Sequence, residues 1–174
     1  LSNDTITRSF MVSFCSGSYT IALTGGDYHS FGEAIDTLNV VGIEGPVTFN
    51  VSPGTYTEQV VLNNIPGSSA TNNISFIGTG DNVLLTAAPS QNENYVMLLD
   101  STSNVTLSRF RIEARPPSGN FANALVLQKG GNIALDSMTV RVRGSINNAN
   151  ASAVVLLGNI SNLSLTNSTI DSGY

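Results

Sequence analysis

Asn73-Ile-Ser-Phe76, Asn104-Val-Thr-Leu107, Asn132-Ile-Ala-Leu135 and Asn162-Leu-Ser-Leu165 repeat one phrase: Asn, apolar, small or polar, apolar. The copies stand 31, 28 and 30 residues apart. Three of them continue in step. Ile112, Val140 and Ile170 each fall five residues after the second apolar residue of the phrase, and Leu99, Leu127 and Leu157 each fall five before the Asn. Short alternating strands at a fixed period in this range mark a chain that coils and stacks on itself. The phrase therefore predicts an all-β parallel β-helix, with about three short strands per turn.

Composition agrees. The chain has 174 residues, enough for one domain with a real core. Charged residues make up only 11 %, whereas Asn, Ser, Thr and Gly are abundant, which suits stacked strands joined by tight turns. Disorder is excluded by 41 % hydrophobic residues arranged in period-two runs. The net charge is −5 and no basic cluster that could neutralise phosphates is expected, so nucleic acid is not an expected partner. No apolar run has the roughly 18–20 residues of a membrane span, so no membrane insertion is expected. The lone Cys15 is read as a buried thiol, the alternative being a pair with a segment outside this chain. Eight Asn-X-Ser/Thr sequons follow from the strand phrase itself and carry no inference of glycosylation.

Ahead of the repeats, residues 1–18 read as a tail or linker, or as a strand over the start of the coil. Residues 19–174 read as the coil itself, continuing beyond Tyr174, since Ser168–Tyr174 resembles a turn without a cap. Ser30-Phe-Gly-Glu33 has capping-box spacing, and Phe31, Ala34, Ile35 and Leu38 follow on one helical face. One short helix over about 30–39 is predicted, plugging the N-terminal end of the coil. Strands are expected at 19–23, 47–51 and 56–62, with an exposed loop over 63–72.

Gly26-Asp-Tyr-His-Ser-Phe-Gly-Glu-Ala-Ile-Asp36, then Val47-Thr-Phe-Asn-Val51 and Pro53-Gly-Thr-Tyr-Thr-Glu58, resemble the opening of pectin methylesterases. Asn73-Ile-Ser-Phe-Ile-Gly78 is similar to their next strand. The likeness covers roughly residues 19–85. It implies a pectin-lyase-like, right-handed parallel β-helix with a helical N-terminal cap. Similar openings occur in secreted surface proteins of Bacteroidetes, where the coil need not be an enzyme.

The family's catalytic strings have no counterpart here, so no catalytic residue is assigned, and no metal or cofactor is expected. Polysaccharide lyases of this fold pair a basic residue with Ca²⁺-binding carboxylates, which makes Arg109 or Arg111 with Asp100, Glu113 and Asp136 the candidates. Register argues otherwise. Glu113, Arg141 and Asp171 fall at equivalent outward positions on three turns, a surface charge ladder in which each pair contributes a few tenths of a kcal/mol. Asp100 aligns with Gln128 and Gly158, and Asp136 with Ser108 and Thr166, so no carboxylate cluster for a metal is expected. His29, the only histidine, reads as a solvent-facing turn residue.

One face is apolar on both sides. If Met97, Leu99, Leu125, Leu127, Val155 and Leu157 point inward, the outward set is Val96, Leu98, Ala124, Val126, Val154 and Leu156. Such a sheet is normally covered, by loops 115–123 and 144–152 folding back or by another domain or subunit. That set is the candidate partner-docking face. The leading expectation is a non-catalytic module of a large secreted or cell-surface bacterial protein, serving adhesion, spacing or assembly. Its partners would be other domains or subunits of that assembly, or polysaccharide. The alternatives are the N-terminal part of a pectin esterase or polysaccharide lyase, and a carbohydrate-binding module for which Tyr56, Tyr95 and Phe121 are the available aromatics.

Overall fold

A computed structural model describes residues 13–116, 121–143 and 150–172. The elements in order are β1 (Gly17–Ile21), α1 (Phe31–Val41), β2 (Val47–Val51), β3 (Gly54–Thr57), β4 (Val60–Leu62), β5 (Ile74–Gly78) and β6 (Val83–Ala87). Then come β7 (Met97–Ser108), β8 (Arg111–Ala114), β9 (Leu125–Asp136), β10 (Thr139–Val142), β11 (Val154–Thr166) and β12 (Thr169–Asp171). Every strand pairing is parallel. The chain is a parallel β-helix with three strand segments per turn. Its first side is β1, β2, β5 and the second halves of β7, β9 and β11. The second is β3, β6, β8, β10 and β12, and the third is β4 with the first halves of β7, β9 and β11.

Inward side chains pile in columns. Val47, Ile74, Val105, Ile133 and Leu163 are consecutive register partners, as are Phe49, Phe76, Leu107, Leu135 and Leu165. Ile112, Val140 and Ile170 stack on the second side. Burying each such side chain contributes about 1.5–3 kcal/mol, so the columns carry most of the favourable energy of the coil.

The recurrent Asn has a backbone cause. Asn104, Asn132 and Asn162 sit at φ 60°, 52° and 53°, in the left-handed region where the chain bends from the third side to the first. Asn tolerates this because its short amide can hydrogen-bond locally. The amides also form a ladder: Asn132 Nδ2 donates to Asn104 Oδ1 at 3.0 Å and Asn162 Nδ2 to Asn132 Oδ1 at 2.9 Å. The bend is shallow enough that β7, β9 and β11 each run through it, joining strands the sequence reading keeps apart. The opposite happens at 56–62, where Glu58 and Gln59 turn a corner and split the expected strand into β3 and β4.

The cap forms as its spacing predicts, over Phe31–Val41. Ser30 Oγ accepts from Glu33 N at 3.0 Å, while Glu33 reaches back to His29 N at 2.7 Å. Phe31, Ala34, Ile35 and Leu38 are buried over the mouth of the coil. A second acid completes the helix start. Glu58 accepts from Phe31 N at 2.9 Å and from Gly32 N at 2.8 Å, using both carboxylate oxygens. A Cβ on Gly32 would lie 2.8 Å from Glu58 Oε2, so a larger residue there would have to displace this carboxylate. The negative carboxylate also complements the helix dipole. Glu58→Ala is expected to lower the unfolding free energy by about 1–3 kcal/mol, read as a fall in the urea midpoint, with Glu58→Gln losing less.

Two expectations, the buried Cys15 and the exposed loop over 63–72, need correction. Cys15 is exposed, because Phe14 on the neighbouring position takes the inward direction and pairs with Ile43. Residues 13–18 are thus built into the coil's start through Phe14 and β1, whereas residues 1–12 lie outside the described residues. The loop over 63–72 is not wholly exposed: Ile65 is buried, and Ser68 Oγ donates to Ser103 O at 2.9 Å.

Candidate functional site

On the second side, period-two alternation sends Ile112, Ala114, Val140 and Val142 inward and Arg111, Glu113, Thr139 and Arg141 outward. Register makes Thr86, Glu113, Arg141 and Asp171 neighbours on successive turns. Arg115 and Arg143 follow directly after β8 and β10, and their backbone N–H groups continue the ladder to Ala87 O and Ala114 O. One acid and three bases thereby meet on two adjacent turns.

The predicted surface ladder is wrong in one respect: Glu113 is 0 % exposed. Its Oε1 accepts from Arg115 Nε, and its Oε2 accepts from Arg141 Nε at 2.6 Å and Arg143 Nε at 3.3 Å. Outward does not mean exposed when three long neighbours close over a shorter side chain. Burial pushes the Glu113 carboxyl up, but hydrogen bonds from Arg141, Arg115 and Arg143 outweigh it and hold the group below its ordinary 4.5. Arg115 and Arg143 remain about half exposed, at 55 % each. The knot is therefore an ionised carboxylate beneath a cationic surface. Sequence reasoning missed Arg115 and Arg143; the signal was the alternation Glu113-Ala-Arg115 above Arg141-Val-Arg143.

Beside the knot, where the first side turns into the second, lies a trough of about 670 Å³. Arg109, Arg111, Asp81, Thr79, Ser137 and Thr139 contribute its polar lining. Arg109 occupies the left-handed region (φ 60°), in column with Ser137 and Asn167. The trough floor needs Gly78, whose hypothetical Cβ would sit 2.1 Å from Arg109 O. Ion pairs among the described residues are His29–Glu33 and the three to Glu113, and neither Arg109 nor Arg111 takes part. Five of the six arginines thus gather on one face. The expectation of no basic cluster is thus corrected: the helical period assembles one from residues up to 34 apart in the chain.

The other lyase candidates do not join this face. Asp100 ends the third-side half of β7 and accepts from Ser101 Oγ at 3.1 Å. Asp136 ends the first-side half of β9 and accepts from Thr166 Oγ1 at 3.1 Å. His29 is exposed beside Glu33. Of the aromatics weighed for sugar binding, Tyr56 belongs to the core, its hydroxyl donating to Ser52 O at 3.0 Å and its ring edge-on to Phe31.

The candidate docking face shifts by one residue at its last turn. Leu127 pairs with Leu156 and Leu125 with Val154, placing those two in the inward columns and Val155 and Leu157 outward. The cause is one extra residue in the bend, where register slips between Leu157 and Ile160. Asp100 and Gln128 accordingly stack with Leu157 and not with Gly158. On the other two turns, Val96, Ala124 and Val126 are buried and Leu98 is half-buried. Asn94 ties the approach to this face together, donating to Asn150 O at 2.8 Å and accepting from Asn123 N at 3.0 Å. The covering loops fall partly at 117–120 and 144–149, outside the described residues.

Compared with protein families and with curated proteins, the chain matches none.

Proposed function

We propose that this chain is a non-catalytic β-helix module, pectin-lyase-like in architecture, of a large secreted or cell-surface protein, where it serves adhesion, spacing or assembly. The observation that carries this reading is the state of Glu113. It is the one carboxylate buried on the arginine face, and three guanidiniums engage both its oxygens. A carboxylate so neutralised is a poor general base or nucleophile, since catalysis needs a group whose proton affinity sits near the working pH. The residues that carry the likeness to pectin methylesterases point the same way. Ser30, Glu33, Tyr56 and Glu58 all build the N-terminal cap and its junction with β3, so they support a shared architecture without a shared chemistry.

The test is turnover. The chain, incubated with methyl-esterified pectin and with polygalacturonate, is expected to release neither methanol nor unsaturated chain ends above a protein-free blank. Sustained release of either product would replace this reading with an esterase or a lyase.

A further inference from the structure

Formal charge is divided along the coil. Residues 13–108 hold eight Asp and Glu and no Lys or Arg, whereas residues 109–174 hold six Lys and Arg and three Asp and Glu. The first stretch therefore carries −8 and the second +3, with Glu113, Asp136 and Asp171 already counted against the bases. Because the turns stack in chain order, this division is spatial. From β2 to β11 there are four strand spacings, roughly 19 Å at about 4.8 Å each. At about 0.1 M salt the Debye length is about 10 Å. A neighbouring molecule thus meets an acidic end and a basic end separately, and not a uniform −5.

The second side shows both ends on one face. Thr55, Leu84, Arg111, Thr139 and Thr169 form one outward column in register. Charge stands at the corners. Where the chain enters this side, the exposed Asp81 lies one turn before the exposed Arg109. Where it leaves, Glu58 and the half-exposed Glu33 meet at the start of α1. Arg115 and Arg143, each 55 % exposed, follow at that corner on later turns. Asp171, the register partner of Arg141, lies on β12, past the last arginine-bearing turn. Leu23 adds an apolar contact: it is 51 % exposed and stands over the start of β3, where a Cβ on Gly54 would lie 3.0 Å from its Cδ1.

We propose that this side is the interface of a two-fold homodimer in which two coils lie antiparallel, β6 of one copy against β8 of the other and β3 against β10. A two-fold axis along the strand direction, between β6 and β8, sets entry corner on entry corner and exit corner on exit corner. Asp81 then faces the second copy's Arg109, and Glu33 and Glu58 face its Arg143, each contact occurring twice. Head-to-tail stacking through the same surfaces would use each contact once per junction and leave an open row, whereas the two-fold pair closes. This pairing deepens the assembly reading, on which it rests, by naming a second copy of the chain as the partner. Five short strands span roughly 24 Å by 13 Å, at about 4.8 Å between strands and about 3.3 Å per residue. That is the small end for a specific contact, so the pair is weak and held mainly by charge.

Sedimentation velocity of the 174-residue chain, over concentrations of about 10–500 μM suited to a weak pair, tests this. At about 0.1 M salt the weight-average mass is expected to rise from 18.2 kDa toward twice that value and no further. At about 1 M salt, where the Debye length is about 3 Å, it should stay at the monomer. Asp81→Arg and Arg109→Asp reverse the two members of one contact. Neither side chain holds an ion pair within the chain, and Asp tolerates the left-handed backbone at position 109 (φ 60°), so both urea midpoints should stay near that of the wild type. Each variant alone should dimerise at least about tenfold more weakly. Their equimolar mixture should recover the wild-type affinity, because in the mixed pair both copies of the contact again set opposite charges together. Asp81→Asn should weaken the pair by an intermediate amount, and it provides the reading if Arg109→Asp fails to fold. The pairing is overturned by a chain that stays monomeric at about 0.1 M salt, by association that strengthens with salt, by growth past the dimer, or by a mixture no tighter than its two components. Turnover on pectin would remove the non-catalytic reading and leave the dimer standing; a monomer without turnover would do the reverse.

Discussion

Glu113→Ala is expected to destabilise the coil by about 2–3 kcal/mol, because it removes the shared acceptor of three charge-assisted hydrogen bonds and leaves Arg141, the least exposed of the donors, without it. Arg115, Arg141 and Arg143 would face one another without the carboxylate that now separates their charges. Their partial exposure limits the cost, since water can solvate Arg115 and Arg143 where they stand. Glu113→Gln keeps an acceptor oxygen and the shape, and should lose less. The pH dependence follows from the same contacts. A carboxyl held below its ordinary 4.5 gives up its proton more readily when folded than when unfolded. Its contribution is therefore complete above the unfolded value and is lost as pH falls through the folded one. Urea midpoints of the wild-type chain should drop below about pH 4.5, and the Glu113→Gln variant should show a shallower drop. Parallel acid profiles for the two proteins would show that the carboxylate is not ionised against its three arginines.

How far the residues alone disclosed this arrangement depends on what each turn demands of them. Asn104, Asn132 and Asn162 were legible because a left-handed bend with a side-chain ladder accepts few alternatives, so the same letter recurs each turn. The cap was legible for a similar reason: Ser30 and Glu33 must stand three apart. Phase was lost where nothing marks it. Val154-Val155-Leu156-Leu157 is apolar throughout, so a one-residue slip leaves a plausible inward set either way, and only the bend after Leu157 reveals the extra residue. A run of this kind specifies register weakly, in contrast to strands with one polar face.

The arginine face escaped for a different reason. Alternation placed Glu113 and Arg141 outward correctly, and their register was read as it stands. What alternation cannot express is depth. A glutamate among three arginines becomes buried through contacts made two residues along its own strand and one turn away, and neither distance is visible in a linear scan. The same folding of sequence into turns turned scattered cations into a cluster. In a coil of this sort, composition should be read by column as well as by segment.

The second large effect is expected at Phe76→Ala, about 3–5 kcal/mol. Phe76 is fully buried and stacks on Phe49 at 4.9 Å between ring centroids, with Phe31 of the cap at 5.9 Å. It therefore joins the aromatic column of the first side to the helix that closes it. Truncation removes packing on both faces of the ring, and the cavity lies too deep for neighbouring turns to collapse around it without disturbing the ladder. The loss should begin locally, because stacked turns are stabilised mainly by their nearest neighbours. Amide exchange of α1 should accelerate before that of β9 and β10. Leu165, in the same column but 46 % exposed, supplies the comparison. Leu165→Ala should lose less than about 1.5 kcal/mol, since roughly half the side chain is already in water. Similar losses at the two positions, or uniform exchange throughout after Phe76→Ala, would mean that the coil unfolds as one indivisible unit and that the cap has no stability of its own to lose.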